Sequence, residues 1–484
     1  MNPPLLAQSV AGGVDARRLD ALRFDADPLA DRTIASIMGP AGPWVIEPGQ
    51  TGDLIALNHP RFQRMAAASR AMSGWTENGL LDDWQPPADL LAADVAAAMR
   101  EYLRSASVLP VWADRARIER AERIFFEYGP LSCALLFCAS LPECYVSPDL
   151  ADVLHAAGQL EQHTDYRIRM TAAMIFPVMM RGGLTDPRGA GIAQVLKVRL
   201  IHATIRHLIL RGRPEDAGES IVPLSALARS GQMYHALFGH GWNVREKGLP
   251  CNQEELAYTL LTFSYVFVRS LRQLGLGLSR EDEEAYLHCW NVAAHLLGVR
   301  RELMADTMEE AESLFTVMQA RANAHPPSPD VRPNLGRALM NAMATSIRLP
   351  IVRDLPPLLT AHLCGPRTST AIGANGQARW PARLLFAVVM GVSGIVDAVM
   401  RVWWPDFALS RLITRILGYH VVTAVLLDQT RPLTLPEHLL NRIDEGMAGW
   451  HEDPKAPRFV NAVEDALTIR GSWRRRVRTS IQHI

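Results

Sequence analysis

His202 lies in a run, Gly191 to Leu210, in which Val195 and Val198 precede it by seven and four residues and Ile205 and Ile209 follow it by three and seven. At helical periodicity these positions share its face, so the imidazole points into an apolar interior. A lone histidine buried without a neighbouring carboxylate has the character of a haem-iron ligand, and equally of a core histidine satisfied by its surroundings. Arg199 and Arg206 flank it three residues before and four after. Two cations there could meet haem propionates through charge-assisted hydrogen bonds, or pair with carboxylates of a neighbouring helix.

A second phrase, Asp165-Tyr166-Arg167-Ile168-Arg169-Met170-Thr171, places Arg167, Met170 and Thr171 within about one helical turn. Cation, thioether and hydroxyl together could line the far side of a cofactor. Thr259 and Thr262, in the run Asn252 to Ser264, sit among apolar neighbours and either face the same cavity or back-bond to their own helix. Glu161 and Asp165 precede the Arg167 turn, where acidic groups favour a helix dipole.

Other chemistries are excluded by spacing. The chain contains no G-x-x-x-x-G-K-[ST], no G-x-S-x-G, no H-E-x-x-H and no G-x-G-x-x-G after a strand. None of the 15 histidines has a glutamate three residues before it, as a helical di-iron site would need, and Asp152-x-x-His155 is the nearest approach. The six cysteines form no C-x-x-C, so no zinc ribbon, redox pair or thioether-linked haem is written here. Lys+Arg and Asp+Glu both number 50, which removes the positive field that nucleic-acid binding rests on.

The elements that must carry these residues are helical. From Ala88 to Ala320 apolar residues recur at helical spacing, with Ala, Leu, Arg and Glu prevailing over β-branched residues, and seven to nine helices are expected. Pro177, Gly182-Gly183 and Asp186-Pro187-Arg188-Gly189 are expected to separate the Arg167 helix from the His202 helix, and Arg211-Gly212-Arg213-Pro214 to end the latter. Residues 1–87 read as a helical arm wrapping a larger core, 88–376 as that core, and 377–484 as a C-terminal helical segment. His325-Pro326-Pro327-Ser328-Pro329 marks another break; a helix resumes over Arg337 to Arg348, and Leu355-Pro356-Pro357 is expected to stop the chain again. The uncharged apolar run Leu384 to Val396 has 13 residues, short of the roughly 18 to 20 of a membrane span. Trp403-Trp404 and the arginines Arg470, Arg474, Arg475, Arg476 and Arg478 beside Trp473 suit either a membrane headgroup layer or a solvated basic tail. No signal peptide is read at the N-terminus, which sets a cytoplasmic expectation.

Several phrases in order resemble the MpaB and latex-clearing-protein oxygenase family. They are Arg167-x-x-Met170-Thr171, Val198-Arg199-Leu200-Ile201-His202-Ala203-x-x-Arg206, Asn252-Gln253-Glu254 through Thr262-Phe263-Ser264, and Tyr286-Leu287-His288-x-Trp290 through His295-Leu296-Leu297-Gly298-Val299. Pro110-x-Trp112-Ala113-Asp114 and Ser140-Leu141-Pro142 with Tyr145 add to the match, which spans Ala88 to Gly376.

The resemblance implies an all-α, globin-like core that holds a non-covalent b-type haem, with His202 as the iron ligand, Arg199 and Arg206 as its companions, and Arg167 and Thr171 near the haem. It implies a dioxygenase that cleaves a carbon–carbon double bond of an apolar isoprenoid, polyisoprene or a prenyl chain. Met170 stands where the polymer-cleaving branch has a lysine, and a thioether neither acts as a base nor carries charge. Two other readings stay open: a His/Met haem protein for electron transfer or sensing, with Met170 as second ligand, and a haem-free helical scaffold at a membrane surface.

Overall fold

The computed structural model describes residues 16–39, 44, 51–87, 89–158, 164–228, 232–324, 329–346, 353–375, 378–384, 386–388 and 391. Trp403, Trp404 and the arginines from Arg470 lie outside the described residues, as do Glu161 and the side chains of Asp165, Arg167 and Met170.

The described chain is all-α. In order come α1 (Ala16–Leu22), α2 (Pro28–Met38), α3 (Thr51–Met72), α4 (Ala93–Ala106), α5 (Arg115–Tyr128), α6 (Pro130–Leu135), α7 (Leu141–Cys144), α8 (Pro148–Gly158), α9 (Thr164–Met179) and α10 (Gly191–Leu210). There follow α11 (Ser225–Ala228), α12 (Met233–Gly239), α13 (Val244–Lys247), α14 (Gln253–Phe263), α15 (Tyr265–Gln273), α16 (Arg280–Leu296), α17 (Met308–Ala322), α18 (Arg332–Ser346) and α19 (Leu355–Ala371). The weakly periodic stretch after α10 holds the one sheet among the described residues, β1 (Ser220–Ile221) antiparallel to β2 (Trp242–Asn243). No described helix is long and apolar enough to cross a membrane.

Helix starts follow local chemistry. Asp27 caps α2 through Ala30 N with Pro28 at the first helical position, Asp114 caps α5 through Ala116 N and Arg117 N, and Asn252 caps α14 through Glu255 N. Thr307 and Glu310 form a reciprocal capping box on α17.

Two expected boundaries are corrected, and a third holds with a different capping residue. α9 runs through Pro177 and ends two residues later, at Met179, so the proline lies inside the last turn and does not precede the break. Pro356 and Pro357 open α19 instead of stopping the chain, since a proline in the first turn removes an N–H that has no partner there. α10 does end where expected, but the left-handed residue is Arg211 (φ 55°), and Gly212 N donates to His207 O at 3.1 Å.

The N-terminal arm is part of the core. Leu19 and Leu22 of α1, Ile34 and Ile37 of α2, and Met65 and Trp75 belong to the same buried cluster as Leu196, Leu200 and Leu208 of α10. Helix α10 packs against α9, α2, α12 and α16 and is enclosed on most sides.

Candidate functional site

Along α10 the residues that keep accessible surface are Gln194, Lys197, Val198, Ile201 and His202, and the other fifteen are buried. Their spacing of three, one, three and one is a single helical stripe. His202 stands in that stripe with Nδ1 buried and without a hydrogen-bond partner. Burial first, and the Arg206 charge second, lower its pKa to about 4. Burial keeps the ring neutral, with a lone pair to give.

His207, five residues on, is the contrast. Its Nε2 accepts from Trp44 Nε1 at 3.3 Å, and burial likewise lowers it to about 4. It is a satisfied core histidine; His202 is not.

The other expected site residues divide in two. Thr171 keeps accessible surface on α9, together with Ala173 and Met174, before the helix becomes wholly buried from Ile175 to Met180. On α14, Thr259 is the one residue that keeps accessible surface, although its hydroxyl back-bonds to Glu255 O at 2.8 Å. Thr262 is closed: it is 0 % exposed, donates to Thr259 O at 2.7 Å and touches Cys144 Sγ at 2.8 Å. A cofactor contact is not available to it.

Arg199 and Arg206 take the structural alternative. Arg199 pairs with Asp27 through Nε and Nη2 at 2.5 and 2.8 Å, and also donates to Leu296 O. Arg206 Nε donates to Asp31 Oδ1 at 2.9 Å, and its Nη1 donates to Pro250 O and Cys251 O at 3.2 and 2.7 Å. Asp31 lies in α2 and Asp27 is its N-cap, so these guanidinium groups are committed to protein acceptors instead of propionates. Lys197, which the sequence reading passed over, is different. Burial alone lowers its ammonium to about 8, and no ion pair holds it among the described residues.

His288 and His295 are engaged elsewhere. Trp112 lies edge-on to the rings of His288 and His295, at 5.7 and 6.1 Å between centroids, under the Arg301 guanidinium. His288 Nε2 accepts from Asp114 N at 2.9 Å, which gives the Trp112 phrase a structural role in seating α5. His155 is exposed, and Asp152 instead holds Lys247 at 2.5 Å and His240 at 3.4 Å. No group of three or more His, Cys, Asp or Glu side chains converges as a metal-binding set among the described residues. All six cysteines are free. The neutral imidazole of His202, with its Nδ1 unpartnered, is a residue that could hold a haem iron.

The described residues form an all-helical core in which one helix carries a stripe of accessible surface around a neutral histidine. The family described as ER-bound oxygenase mpaB/B'/Rubber oxygenase, catalytic domain, matches residues 134–395, and the chain belongs to this family. A rubber oxygenase of a Streptomyces species is 26% identical over 301 residues, which span 62% of this chain and 64% of that protein. The solved structure of latex clearing protein in its closed state shares the fold at a TM-score of 0.54 and 20% identity, over 91% of this chain and 93% of that one.

Proposed function

We propose that this chain is a haem b-dependent oxygenase that uses dioxygen to cleave a carbon–carbon double bond of an apolar isoprenoid, polyisoprene or a prenyl chain. The observation that carries the reading is His202: neutral, orphaned at Nδ1, and placed on the accessible stripe of an otherwise buried helix.

Haem, when bound, supplies the redox chemistry by which dioxygen reacts with an alkene. His202 would hold it through its unprotonated ring nitrogen. Thr171 and, by the family resemblance, Arg167 would supply a hydroxyl and a guanidinium to stabilise charge developing on oxygen. Thr259, the residue of α14 that keeps accessible surface, would contribute from that helix. Val198 and Ile201 on α10 and Ala173 and Met174 on α9 keep apolar surface, which suits a hydrocarbon chain and offers water no partners. Arg199 and Arg206 act one step removed, by locking α10 to α2.

The test is incubation of the purified protein with cis-polyisoprene, and separately with a short prenylated compound, under oxygen-18 gas. Cleavage joins one oxygen atom to each carbon of the broken double bond, so two carbonyl-ended fragments should each carry one heavy oxygen. Fragments without heavy oxygen, or no cleavage by haem-loaded protein, would overturn the reading.

A further inference from the structure

We infer that Asn78 is a positioning residue for the His202 helix: it ties the turn between α9 and α10 to the start of α10 and so fixes where His202 stands relative to Thr171. The inference rests on the reading of His202 as the haem ligand.

Helix α10 begins without a capping side chain of its own, since its N-cap is Ala190. Asn78, from a short 3-10 turn far back in the sequence, supplies the cap: its Oδ1 accepts from Ile192 N and Ala193 N at 3.0 and 3.3 Å. The Nδ2 of the same side chain donates to Gly183 O and Asp186 O at 2.8 and 3.0 Å, and its backbone N donates to Gly189 O at 2.7 Å. One amide thus serves the first N–H groups of α10 and the carbonyls of the turn leading into it.

The turn itself has little freedom. A Cβ on Gly183 would overlap Pro177 O, one on Gly189 would overlap Gly182 O, and one on Gly191 would overlap Gly183 O. Glu122 of α5 grips it from another side, accepting from Gly182 N at 2.9 Å and Gly183 N at 3.2 Å. A joint held at both ends by side chains from outside sets the angle between the two helices it connects. His202 lies about 16 Å along the axis from Gly191, so a tilt of about 4° at the joint displaces its Cα by about 1 Å.

Glu122 gives the joint a readable signal. Burial raises its carboxyl to about 7 against the two glycine N–H groups, with Glu119 on its own helix raising it and Arg181 in the turn lowering it. Cys289 of α16 is a further titratable neighbour. Protonation places an O–H where an acceptor was and leaves one glycine N–H without its partner.

The experiment compares the full chain with N78A, N78D and E122Q. Resonance Raman of the reduced haem-loaded proteins reads the iron–histidine stretching band, and amide hydrogen exchange reads the helices. N78A should keep wild-type haem content but shift that band, with faster exchange reaching from Ile192 to the His202 turn and into the last turns of α9. N78D retains the acceptor for Ile192 and Ala193 but has no donor for Gly183 O and Asp186 O, so it keeps the cap, loses the tie to the turn and should leave the band shifted. In the wild type the band should move with pH around 7, and in E122Q it should not. A lower melting temperature in N78A with an unmoved band, and faster exchange confined to the first turn of α10, would reduce Asn78 to a local cap and overturn the inference. Failure of the underlying reading looks different: the wild-type band is then absent, or survives in H202A. The exchange pattern of N78A still decides the positioning role in that case.

Discussion

Asp27 and Arg199 meet in a two-bond ion pair with both side chains buried, Nε to Oδ2 at 2.5 Å and Nη2 to Oδ1 at 2.8 Å. Asp27 is also the N-cap of α2, so one carboxylate starts that helix and fastens it to the helix that carries His202.

Breaking this pair should be costly. D27A leaves a buried guanidinium without its partner and should lose about 3–5 kcal/mol in urea unfolding. The double variant D27L/R199M removes both charges and should recover most of that loss with haem content unchanged. Haem lost from the double variant at near-normal stability would return Arg199 to a cofactor-binding role.

The polar groups on the Thr171 side should matter for turnover and not for haem retention. T171V keeps shape, removes the hydroxyl, and is expected to lower turnover on the order of 10²-fold, the cost of one lost donor. R167A should behave alike. Haem lost from R167A, with normal activity per remaining haem, would make Arg167 a structural or propionate partner.

Met170 is expected to leave the position opposite His202 open. Reduced protein should then bind carbon monoxide quickly, and M170L should leave the spectrum unchanged. A low-spin spectrum that turns high-spin in M170L would assign the thioether as second ligand and support electron transfer or sensing.

Acid should weaken the haem-free protein through His202. Its folded pKa of about 4 lies below the ordinary histidine value of 6.5, so the unfolded chain binds the extra proton between those limits. The stability tied to the neutral ring is complete above about 6.5 and is lost as pH falls toward 4, by about 3 kcal/mol. Glu122 and Glu255, raised by burial to about 7 and about 8, act in the opposite sense as pH rises. The measurement is therefore the difference between wild type and H202L in urea unfolding from pH 7 to pH 4. Parallel pH curves for the two would show that His202 is not buried neutral.

Much of the framework was legible in the sequence because it is written in local signals. Helical periodicity gave α10, and Gly182-Gly183 through Gly189 gave the turn before it. What stayed hidden depends on contacts between segments far apart in the chain. The face of α10 that holds Arg199 and Arg206 is compatible with any carboxylate, and only the packed structure shows that the partners are Asp27 and Asp31 of the arm. Thr259 and Thr262 looked equivalent in the sequence, and Cys144 separates them by covering one. Asn78 carried no signal at all, because a cap supplied from 114 residues away leaves only the missing polar residue at Ala190 as a trace. The Asp27-Pro28 pair could have been read as a helix start, though not its second bond.

The most direct test is the visible spectrum of the purified full-length protein beside that of H202A. Wild type should show a Soret band that shifts on reduction and carbon monoxide addition, and H202A should fold, by far-ultraviolet circular dichroism, but retain little or no haem. Full haem content and an unchanged spectrum in H202A would contradict the assignment of His202 as the iron ligand.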